Sequence, residues 1–317
     1  MNKKLATITA AAIVAAALLF VVNNGNVTIS QSGMASAPLV IDLQNVQYKS
    51  VSISGNYVEV YNVNVKGSQS HGILIAGKYV KVSGFTVSDG VNENRTSSGC
   101  GNAQWGSGIK VAVGGENIVI ENGTVSRNCG EGVAITRGKN VLIDNVTAED
   151  NFSVNFYIDN SSNVTVQNSR AVCASPTYYR SGEPANSFLL GEENYSGWGA
   201  QLGSVTIQNN YATGCKGIRL YEQFSNGGLK GATITGNTIS QVWKNATPIL
   251  IAVYPQNRDI MISGNVFPPY ITTIPSTPTA PPANVQTVTA TPISTQVGTS
   301  TPECLLFSGH GQTVCIR

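Results

Sequence analysis

Residues 117–162 consist of two consecutive 23-residue segments, NIVIENGTVSRNCGEGVAITRGK (117–139) and NVLIDNVTAEDNFSVNFYIDNSS (140–162), which align without a gap. Each segment holds three short runs in which apolar residues recur at every second position, separated by polar turns. A strand of this period buries only one face, so one segment cannot form a core, whereas stacked copies bury their inward residues against one another. The repeat therefore predicts a solenoid with three strands per coil.

The opening run of this repeat recurs through the central part of the chain, with apolar residues at its second and fourth positions. It begins at Pro38, Tyr57, Tyr79, Asn117, Asn140, Asn163, Ser204, Gly231 and Asp259. The sixth position is usually Asn or Gly, the residues that tolerate the left-handed backbone of a sharp corner, and stacked Asn side chains are expected to hydrogen-bond from coil to coil. We predict an all-β, single-stranded parallel β-helix solenoid of about eight coils over residues 38–267.

Three short motifs carry a resemblance to a known family: GIKV (108–111), NVTV (163–166) and GNTI (236–239). They resemble the parallel β-helix repeat of the pectate-lyase-like superfamily. The resemblance covers residues 38–267 and implies a right-handed coil, which agrees with the handedness of parallel crossovers. It does not imply one activity, because that superfamily includes lyases, hydrolases, epimerases, viral tailspikes and adhesins.

The overall charge of the chain is close to zero. Charged residues make up 11% of the 317 residues, and 19 Lys and Arg against 17 Asp and Glu give a net charge of +2. This balance argues against a nucleic-acid-binding surface. A surface rich in Asn, Ser, Thr and Gly suits a neutral polar partner such as a sugar, or simply forms the exterior of a sheet.

The two ends of the chain differ from its centre. Lys3 and Lys4 precede an uncharged apolar run over residues 5–22, which is predicted to be a secretory signal or an uncleaved membrane helix, with a linker over residues 23–37. Residues 268–302 are rich in Pro and Thr, lack charged side chains and are predicted to form a disordered stalk before a short Cys-containing segment, residues 303–317. Both interpretations of the N-terminus place the solenoid outside the cytoplasm, either secreted or anchored through residues 5–22.

Six cysteines in an exported chain predict disulfide bonds. The coil register favours the pairs Cys100–Cys129, Cys173–Cys215 and Cys304–Cys315. Free buried thiols are the alternative, and the paired CxxC spacing of a zinc site is missing. Asn94 and Asn194, which lie in long insertions, are the credible glycosylation acceptors.

Two coils carry long insertions, residues 89–107 and 174–198, which leave the coil between its second and third runs. They should stand on the same edge of the solenoid and border a trough, and long loops on a rigid scaffold commonly bind ligands. Their aromatic side chains, which suit stacking on sugar rings, include Trp105, Tyr178, Tyr179, Tyr195 and Trp198. Packing of these rings against the side of the solenoid is the alternative.

We predict that the outward positions of the third runs form the floor of this trough, and we take residues 200–202 as the third run of the coil that carries the second insertion. The resulting candidate site consists of Lys110, Glu131, Tyr157, Asp159, Gln201, Arg219 and Tyr221. Adjacent parallel strands lie about 4.8 Å apart, so Lys110 and Tyr157, and likewise Asp159 and Tyr221, should be two strands apart. An ordinary solvated sheet face is the alternative interpretation.

The motifs of enzymatic relatives are largely missing. Polygalacturonase-like members carry Asp-Asp, a Gly-His-Gly within the solenoid and Arg-x-Lys, whereas this chain lacks Asp-Asp, has Tyr221 where the Lys would follow Arg219, and has its GHG (309–311) in the tail. Lyase members need acidic Ca²⁺ ligands, and the floor offers only Asp159 and Glu131.

We therefore expect a non-enzymatic, extracytoplasmic protein that binds a polysaccharide or surface glycan, as an adhesin or virion surface protein, without metal or cofactor. The enzymatic alternative is a polysaccharide lyase or glycoside hydrolase that uses Asp159, Lys110 and Arg219, with Ca²⁺ required only for a lyase. A structural surface spacer is the third interpretation. The oligomeric state stays open, since no coiled-coil heptad is present.

Overall fold

The structure is a computed structural model that describes residues 20–268, apart from 196, 198, 226, 246, 253 and 255, together with 304–306 and 313–315. Within these residues, short 3-10 helices occupy Asn92–Asn94, Pro176–Tyr178 and Trp243–Asn245. In chain order the strands are β1 (Val21–Asn23), β2 (Asn26–Ile29), β3 (Leu39–Asp42), β4 (Gln47–Tyr48), β5 (Ser50–Ile53), β6 (Val58–Lys66), β7 (Ile73–Ile75), β8 (Lys78–Ser88), β9 (Ile109–Val111), β10 (Glu116–Ser126), β11 (Glu131–Thr136), β12 (Lys139–Glu149), β13 (Val154–Asp159), β14 (Ser162–Gln167), β15 (Arg170–Val172), β16 (Asn186–Glu192), β17 (Gly203–Gln208), β18 (Tyr211–Thr213), β19 (Ile218–Glu222), β20 (Lys230–Thr235), β21 (Thr238–Ser240), β22 (Ile249–Leu250), β23 (Arg258–Ser263), β24 (Cys304–Leu306) and β25 (Thr313–Cys315).

The chain alternates between two sheets as it winds from coil to coil, and their strands pair in parallel except for β1, which pairs with β2 antiparallel. The front sheet has the order β1-β2-β5-β7-β9-β11-β13-β16-β19-β22, and the back sheet follows β3-β6-β8-β10-β12-β14-β17-β20-β23, with β4, β15, β18 and β21 beside this path. Each predicted opening run is a strand of the back sheet. The predicted all-β solenoid of parallel strands is therefore confirmed.

The core consists of inward columns in which each residue stacks on its counterpart in the next coil. Along the back sheet, for example, Val80, Ile118 and Val141 are successive partners, and all are buried. In the front sheet the rings of Phe156 and Phe188 stack with centroids 5.1 Å apart. Apolar burial of this kind is the main stabilising contribution to a solenoid, because a lone coil has no core.

The predicted left-handed corners are present at the sixth position of the repeat. Asn122, Asn145, Asn168 and Asn209 have φ values of 58°, 53°, 51° and 54°. The Asn145 amide donates to Asn122 Oδ1 at 2.8 Å, as expected for a stacked ladder. A second left-handed corner, which the repeat pattern did not reveal, lies at the first position, where the Asn163 and Asn140 amides donate to Asn140 and Asn117 at 2.7 and 2.9 Å.

A buried asparagine cluster inside the coils was also not predicted. Asn151, with 1% of its surface exposed, donates from Nδ2 to the Val125 carbonyl at 3.1 Å and to Asn155 Oδ1 at 3.0 Å. Its Oδ1 accepts hydrogen bonds from the backbone and side-chain amides of Asn128 at 3.1 and 2.9 Å. These contacts satisfy polar backbone groups at turns inside the solenoid.

Two predicted boundaries are wrong. The predicted linker, residues 23–37, contains β2, which pairs with β5 in the front sheet, so the solenoid begins before Pro38. The front strand of the coil that carries the second insertion is β16 and not residues 200–202. Phe188 and Leu190 of β16 pair with Phe156 and Ile158 and continue their inward columns. Phe188 is also a larger apolar residue than Ala200, which the predicted run would place in that column. The insertion is thereby divided into one loop before β16 and one after it.

The terminal predictions fall mostly outside the described residues. Of residues 5–22 only 20–22 are described, and Phe20 packs against the core. Within the described part of the chain, no helix is long and apolar enough to cross a membrane. The stalk, residues 268–302, is described only at Pro268, and in the separate unit of residues 273–317 Cys304 lies opposite Cys315 in the antiparallel pair β24–β25, where their disulfide stays a prediction.

Replacing Asn151 by Ala should lower the free energy of unfolding by about 2–4 kcal/mol, because it leaves several buried amide and carbonyl groups without partners. Urea denaturation measures the change. The matched control is Asn64→Ala, which removes one exposed hydrogen bond to the Asn45 carbonyl and should cost less than about 1 kcal/mol. Equal losses in the two variants would contradict a structural role for the buried cluster.

Candidate functional site

A trough of about 860 Å³ crosses the outward face of the front sheet. Its floor is formed by outward side chains of β9, β11, β13, β16 and β19. Three loops surround it: the first loop is residues 89–108, the second loop is residues 173–185, and the third loop is residues 193–202. The first and second loops stand at the starts of the front strands and the third loop stands at their ends.

The first and second loops contact each other and form one continuous wall. Arg180 Nε donates to the Ser98 carbonyl at 3.0 Å, and the Arg180 guanidinium lies 4.9 Å from the centre of the Trp105 ring. Stacking of a guanidinium on an indole ring is a favourable cation–π contact. The insertions therefore stand on the same edge, as predicted, and the second one reaches across to the first.

Disulfides attach both loops to the solenoid. Cys100 bonds to Cys129, and Cys173 bonds to Cys215, which confirms two of the predicted pairs. All four residues are buried. Each bond joins a long loop to the turn of a neighbouring coil, so the second loop is fixed at its start and the first loop near its middle.

Trp105 is held in this wall by a buried carboxyl group. Its Nε1 donates to Glu131 Oε1, and Ser107 Oγ donates to Glu131 Oε2 at 2.8 Å. Burial raises the pKa of Glu131 above its ordinary value, although the Lys110 charge and the two donors act in the opposite direction. With its Nε1 bound to Glu131 and one ring face covered by Arg180, Trp105 mainly shapes the wall.

The floor follows the predicted register at its centre. Ala134 pairs with both Lys110 and Tyr157, which are therefore two strands apart. Gly191 likewise pairs with both Asp159 and Tyr221. Lys110 Nζ donates to Thr136 Oγ1 and so lies over the middle of the floor.

Asp159 lies at the end of β13, with 1% of its surface exposed. Its Oδ1 accepts hydrogen bonds from the Glu193 backbone amide and from Asn160 Nδ2, both at 3.0 Å. Burial raises its pKa to about 7, with a further rise from the Glu193 charge that the hydrogen bonds and Lys110 partly offset. A carboxyl group with such a pKa exchanges its proton near neutral pH.

Tyr157 covers the floor beside Asp159. Its ring lies over Gly191, where an added Cβ would be 2.8 Å from Tyr157 Oη, so only glycine leaves room for the ring. The residue is 6% exposed, and its hydroxyl has no hydrogen-bond partner in the described part of the chain. Burial and the charges of Asp159 and Glu193 raise the pKa of Tyr157, so the hydroxyl keeps its proton.

The third loop forms the opposite wall through Glu193 and Tyr195. Tyr195 Oη donates to Glu193 Oε2, and Gln223 links Tyr221 to this loop, because its Oε1 accepts from the Asn194 amide at 2.7 Å and its Nε2 donates to Tyr221 Oη at 2.7 Å. The rings of Tyr195 and Tyr221 stay 48% and 42% exposed. The two rings thus present accessible aromatic surface at the edge of the trough.

The base of the third loop is fixed by Glu192, which is fully buried and points inward at the end of β16. Its Oε1 accepts from the Leu202 amide at 2.7 Å and its Oε2 from the Gly228 amide at 2.9 Å. The carboxyl of Glu222 pairs with it from the next strand, and burial together with Glu192 raises the pKa of Glu222 to about 7. This pair supports the wall from below.

Several predicted site residues lie elsewhere. Leu189 occupies the floor position expected for Gln201, which is exposed and outside any strand. Arg219 does not line the trough, since its Nη1 donates to the carbonyls of Ile218 and Pro248 at 2.9 and 3.3 Å.

Two of the aromatic residues predicted to bind a ligand also lie outside the trough. The ring of Tyr178 stacks under the Arg95 guanidinium at 4.6 Å, and Tyr179 packs against the buried cluster around Cys173 and Cys215. Neither lines the trough, and Trp198 lies outside the described residues.

Sequence reasoning placed Glu193 and Tyr195 in the second insertion without assigning them to the lining, and it interpreted His71 as a turn residue. All three line the trough. The first two follow β16 closely, so the period-two pattern of Phe188, Leu190 and Glu192 could have located them. His71 lies at the far end of the trough, and burial with the nearby Lys110 charge lowers its pKa to about 4, so its ring is neutral. The described residues contain no group of three or more His, Cys, Asp or Glu side chains arranged to hold a metal ion.

The family described as "Right handed beta helix region" matches residues 17–267 of this chain. The match extends over well more than half of the sequence and agrees with the parallel two-sheet winding. The protein belongs to the right-handed β-helix family, as the repeat motifs implied.

Several solved structures are similar at low sequence identity. An alginate lyase from Paenibacillus sp. str. FPU-7 is 16% identical, with a TM-score of 0.49, and the match covers 77% of this chain and 84% of that one. Pectate lyase Pel9A is 15% identical, with a TM-score of 0.48, and the match covers 75% of this chain and 64% of that one. The A-module of the Azotobacter vinelandii mannuronan C-5 epimerase AlgE6 is 20% identical, with a TM-score of 0.40, and the match covers 69% of this chain and 65% of that one. Likeness at this level concerns the fold alone. No curated protein matches the chain.

The pKa of Asp159 can be tested through thermal stability. At pH 5 the folded wild-type carboxyl is still protonated whereas the unfolded one is already ionised, so Asp159→Asn should exceed the wild type in melting temperature by a small margin that grows as the pH rises to about 7. Above pH 7 folding must keep a buried charge in the wild type only, because the raised pKa of about 7 makes the charged form unfavourable. The variant should therefore become more stable than the wild type by several degrees at pH 8.

Differential scanning calorimetry between pH 5 and pH 8 gives this difference directly, and each variant is compared with the wild type at the same pH, which cancels the titration of other groups. Glu121→Gln, on the back sheet, serves as the control and should show a constant difference across this range. A difference for Asp159→Asn that does not change with pH would contradict a raised pKa.

Proposed function

We propose that this protein binds a glycan or polysaccharide chain in the trough. The observation that carries the proposal is the trough itself, a volume of about 860 Å³ on a rigid sheet, lined by tyrosine rings and polar side chains and bounded by disulfide-attached loops. Ligand pockets commonly have volumes of about 300–1,000 Å³. Binding residues are typically held by loops on a rigid scaffold, as here.

The lining suits the two kinds of surface that a sugar ring presents. The exposed rings of Tyr195 and Tyr221 offer apolar faces for the C–H surface of a pyranose. Tyr157, Asp159 and Lys110 offer donors and acceptors for its hydroxyl groups. Lys110, Tyr157 and Tyr221 lie on every second strand of the floor (β9, β13 and β19), so these contacts recur about every 10 Å along the solenoid axis, as the repeat of a polymer requires.

We also propose a cell-surface or secreted location for this protein. Two disulfides are typical of proteins that fold in an oxidising compartment. Together with the predicted signal or membrane segment over residues 5–22, they favour an extracytoplasmic protein that displays the trough to external glycans. We propose that it acts as an adhesin or a virion surface protein.

A second candidate function is cleavage of the bound glycan, favoured by the pKa of about 7 for Asp159. A buried carboxylic acid of this pKa can protonate a glycosidic oxygen as the bond to the anomeric carbon breaks, while a second carboxylate deprotonates the attacking water. Glu193 is the available partner because its backbone amide contacts Asp159. Glu131 is at the other end of the floor, since about 16 Å of strand separate its Cα from that of Thr136 beside Asp159.

A lyase reaction would need a base that removes a proton next to a carboxylate group of the substrate. Arg219 donates to backbone carbonyls instead of facing the trough, which leaves Lys110 as the nearest basic group of the predicted set. Ca²⁺ would be required only for this reaction, and the acidic groups at the floor would have to provide its ligands. The geometry favours hydrolysis over elimination within the enzymatic alternative.

Binding is tested with the full-length protein on an array of glycans and polysaccharides. Retention of at least one glycan is expected, and Tyr221→Ala should weaken it roughly tenfold, because the aromatic face for stacking is lost. The matched control is Tyr61→Ala, a tyrosine on the back sheet, which should bind like the wild type. The proposal would be contradicted if the protein retained no glycan, or if both variants lost glycan binding to the same extent.

Cleavage is tested on the same array by measuring new reducing ends and the ultraviolet absorbance of unsaturated uronates. Hydrolysis would release reducing ends without that absorbance, and Asp159→Asn should lower the rate at least roughly 100-fold, since the proton donor is lost. Retention by the variant is the control for binding. Cleavage that survives the substitution would exclude Asp159 as the acid.

A further inference from the structure

We infer that the trough selects uncharged glycans and discriminates against polyuronates, an inference that rests on the proposed binding of a glycan in this site. It follows from the charges that line the trough and from the partners that each cation already has. Recognition of a polyuronate requires cations or ions that are free to meet a carboxylate on successive sugars.

The described cations that line the trough are all engaged by the protein. Lys216 Nζ lies 2.8 Å from Glu183 Oε2 in an ion pair. Arg180 stacks on Trp105 and donates to the Ser98 carbonyl. A uronate that took Lys216 would have to break this ion pair, and one that approached Arg180 would find its Nε donor already in use.

Lys110 is the cation at the centre of the floor, and it is also engaged. Its Nζ donates to Thr136 Oγ1, and its charge acts on both Glu131 and Asp159. His71 contributes no charge near neutral pH, since its pKa is lowered to about 4. The guanidinium of Arg219 is directed to backbone carbonyls outside the trough.

Carboxyl groups outnumber cations along the trough. The described lining residues include four carboxyl side chains, Glu131, Asp159, Glu183 and Glu193, against three cations, Lys110, Arg180 and Lys216. A polyuronate would bring a negative charge with every sugar into a partly desolvated surface that already holds the carboxyl groups of Glu183 and Glu193. Burial raises the pKa of Glu131 and of Asp159, which lowers the share of negative charge that these two contribute. Like-charge contact and loss of water both disfavour that complex.

The unsatisfied polar group at the floor points to a hydroxyl ligand. Tyr157 is 6% exposed, and its Oη lies beside the Glu193 carboxyl group without a well-formed hydrogen bond. A buried hydroxyl without a partner is unfavourable, and a sugar hydroxyl can both donate to it and accept from it. Glu193 and Asp159 beside it are acceptors for further sugar hydroxyls. Neutral sugars supply such groups without adding charge.

The test compares polymers that differ only in charge. Polygalacturonate and alginate are each immobilised in native form and after chemical reduction of the carboxylates to primary alcohols, beside neutral glucans, galactans and mannans. Retention of the full-length protein is measured at low and at physiological salt. We expect retention of neutral polymers and, within a matched pair, roughly tenfold or tighter binding of the reduced form.

A charge-deletion variant tests the cause. Asp159→Asn combined with Glu193→Gln should raise polyuronate retention about tenfold, because it removes two acidic groups that face the ligand. The matched control, Glu116→Gln combined with Glu121→Gln, removes two carboxylates that pair with lysines on the back sheet and should leave the preference unchanged. An increase in both double variants would mean that net charge, and not the trough, sets the preference, which overturns the inference.

The outcomes separate this inference from the proposed function. Retention of a native polyuronate as tightly as, or more tightly than, its reduced form overturns the inference and leaves glycan binding established. Retention of neutral polymers alone supports both. Failure to retain any polymer overturns the proposed function and this inference with it.

Discussion

The in-register stacking of each coil on the next is the constraint on which the rest of the structure depends. A coil has no core of its own, so its inward residues are buried only where the neighbouring coils offer apolar partners at the same positions. The column of Val82, Ile120 and Ile143 illustrates this, since each is buried by its partners above and below. The corners obey the same constraint, because Asn122 and Asn145 must turn at equivalent positions for their strands to pair.

This repetition explains how much of the fold the sequence predicts. A requirement that recurs about every 23 residues is visible in a single chain, so the residues alone suffice to place the opening strands and the Asn corners. The exception is the long stretch after Val172, which offers two short apolar alternations, at residues 188–190 and 200–202. Sequence spacing alone could not choose between them, whereas the structure selects Phe188 because its ring stacks on Phe156.

The floor of the trough can be predicted once the core residues are assigned. Once the inward residues are assigned, the outward ones follow, and Lys110, Tyr157, Asp159 and Tyr221 stand where the alternation puts them. Register fixes the Cβ direction but not the end of a long side chain, so Arg219 begins outward and ends on backbone carbonyls. The contact of Arg180 with Trp105 joins two loops that have no repeat, and nothing in the sequence pattern specifies it.

The raised pKa of Asp159 depends on the absence of a side chain at Gly191. Gly191 follows Asp159 in the stack, and the ring of Tyr157 occupies the space that a Cβ there would fill, with Oη only 2.8 Å from that position. The ring and the Glu193 backbone together leave Asp159 1% exposed, and this burial is the main cause of its raised pKa. A larger residue at 191 would displace the ring, admit water to the carboxyl and return its pKa towards the ordinary range. The inward columns need bulky side chains to stabilise the core. The outward column needs the small residue Gly191 instead, because the Tyr157 ring occupies the space that a larger side chain would fill.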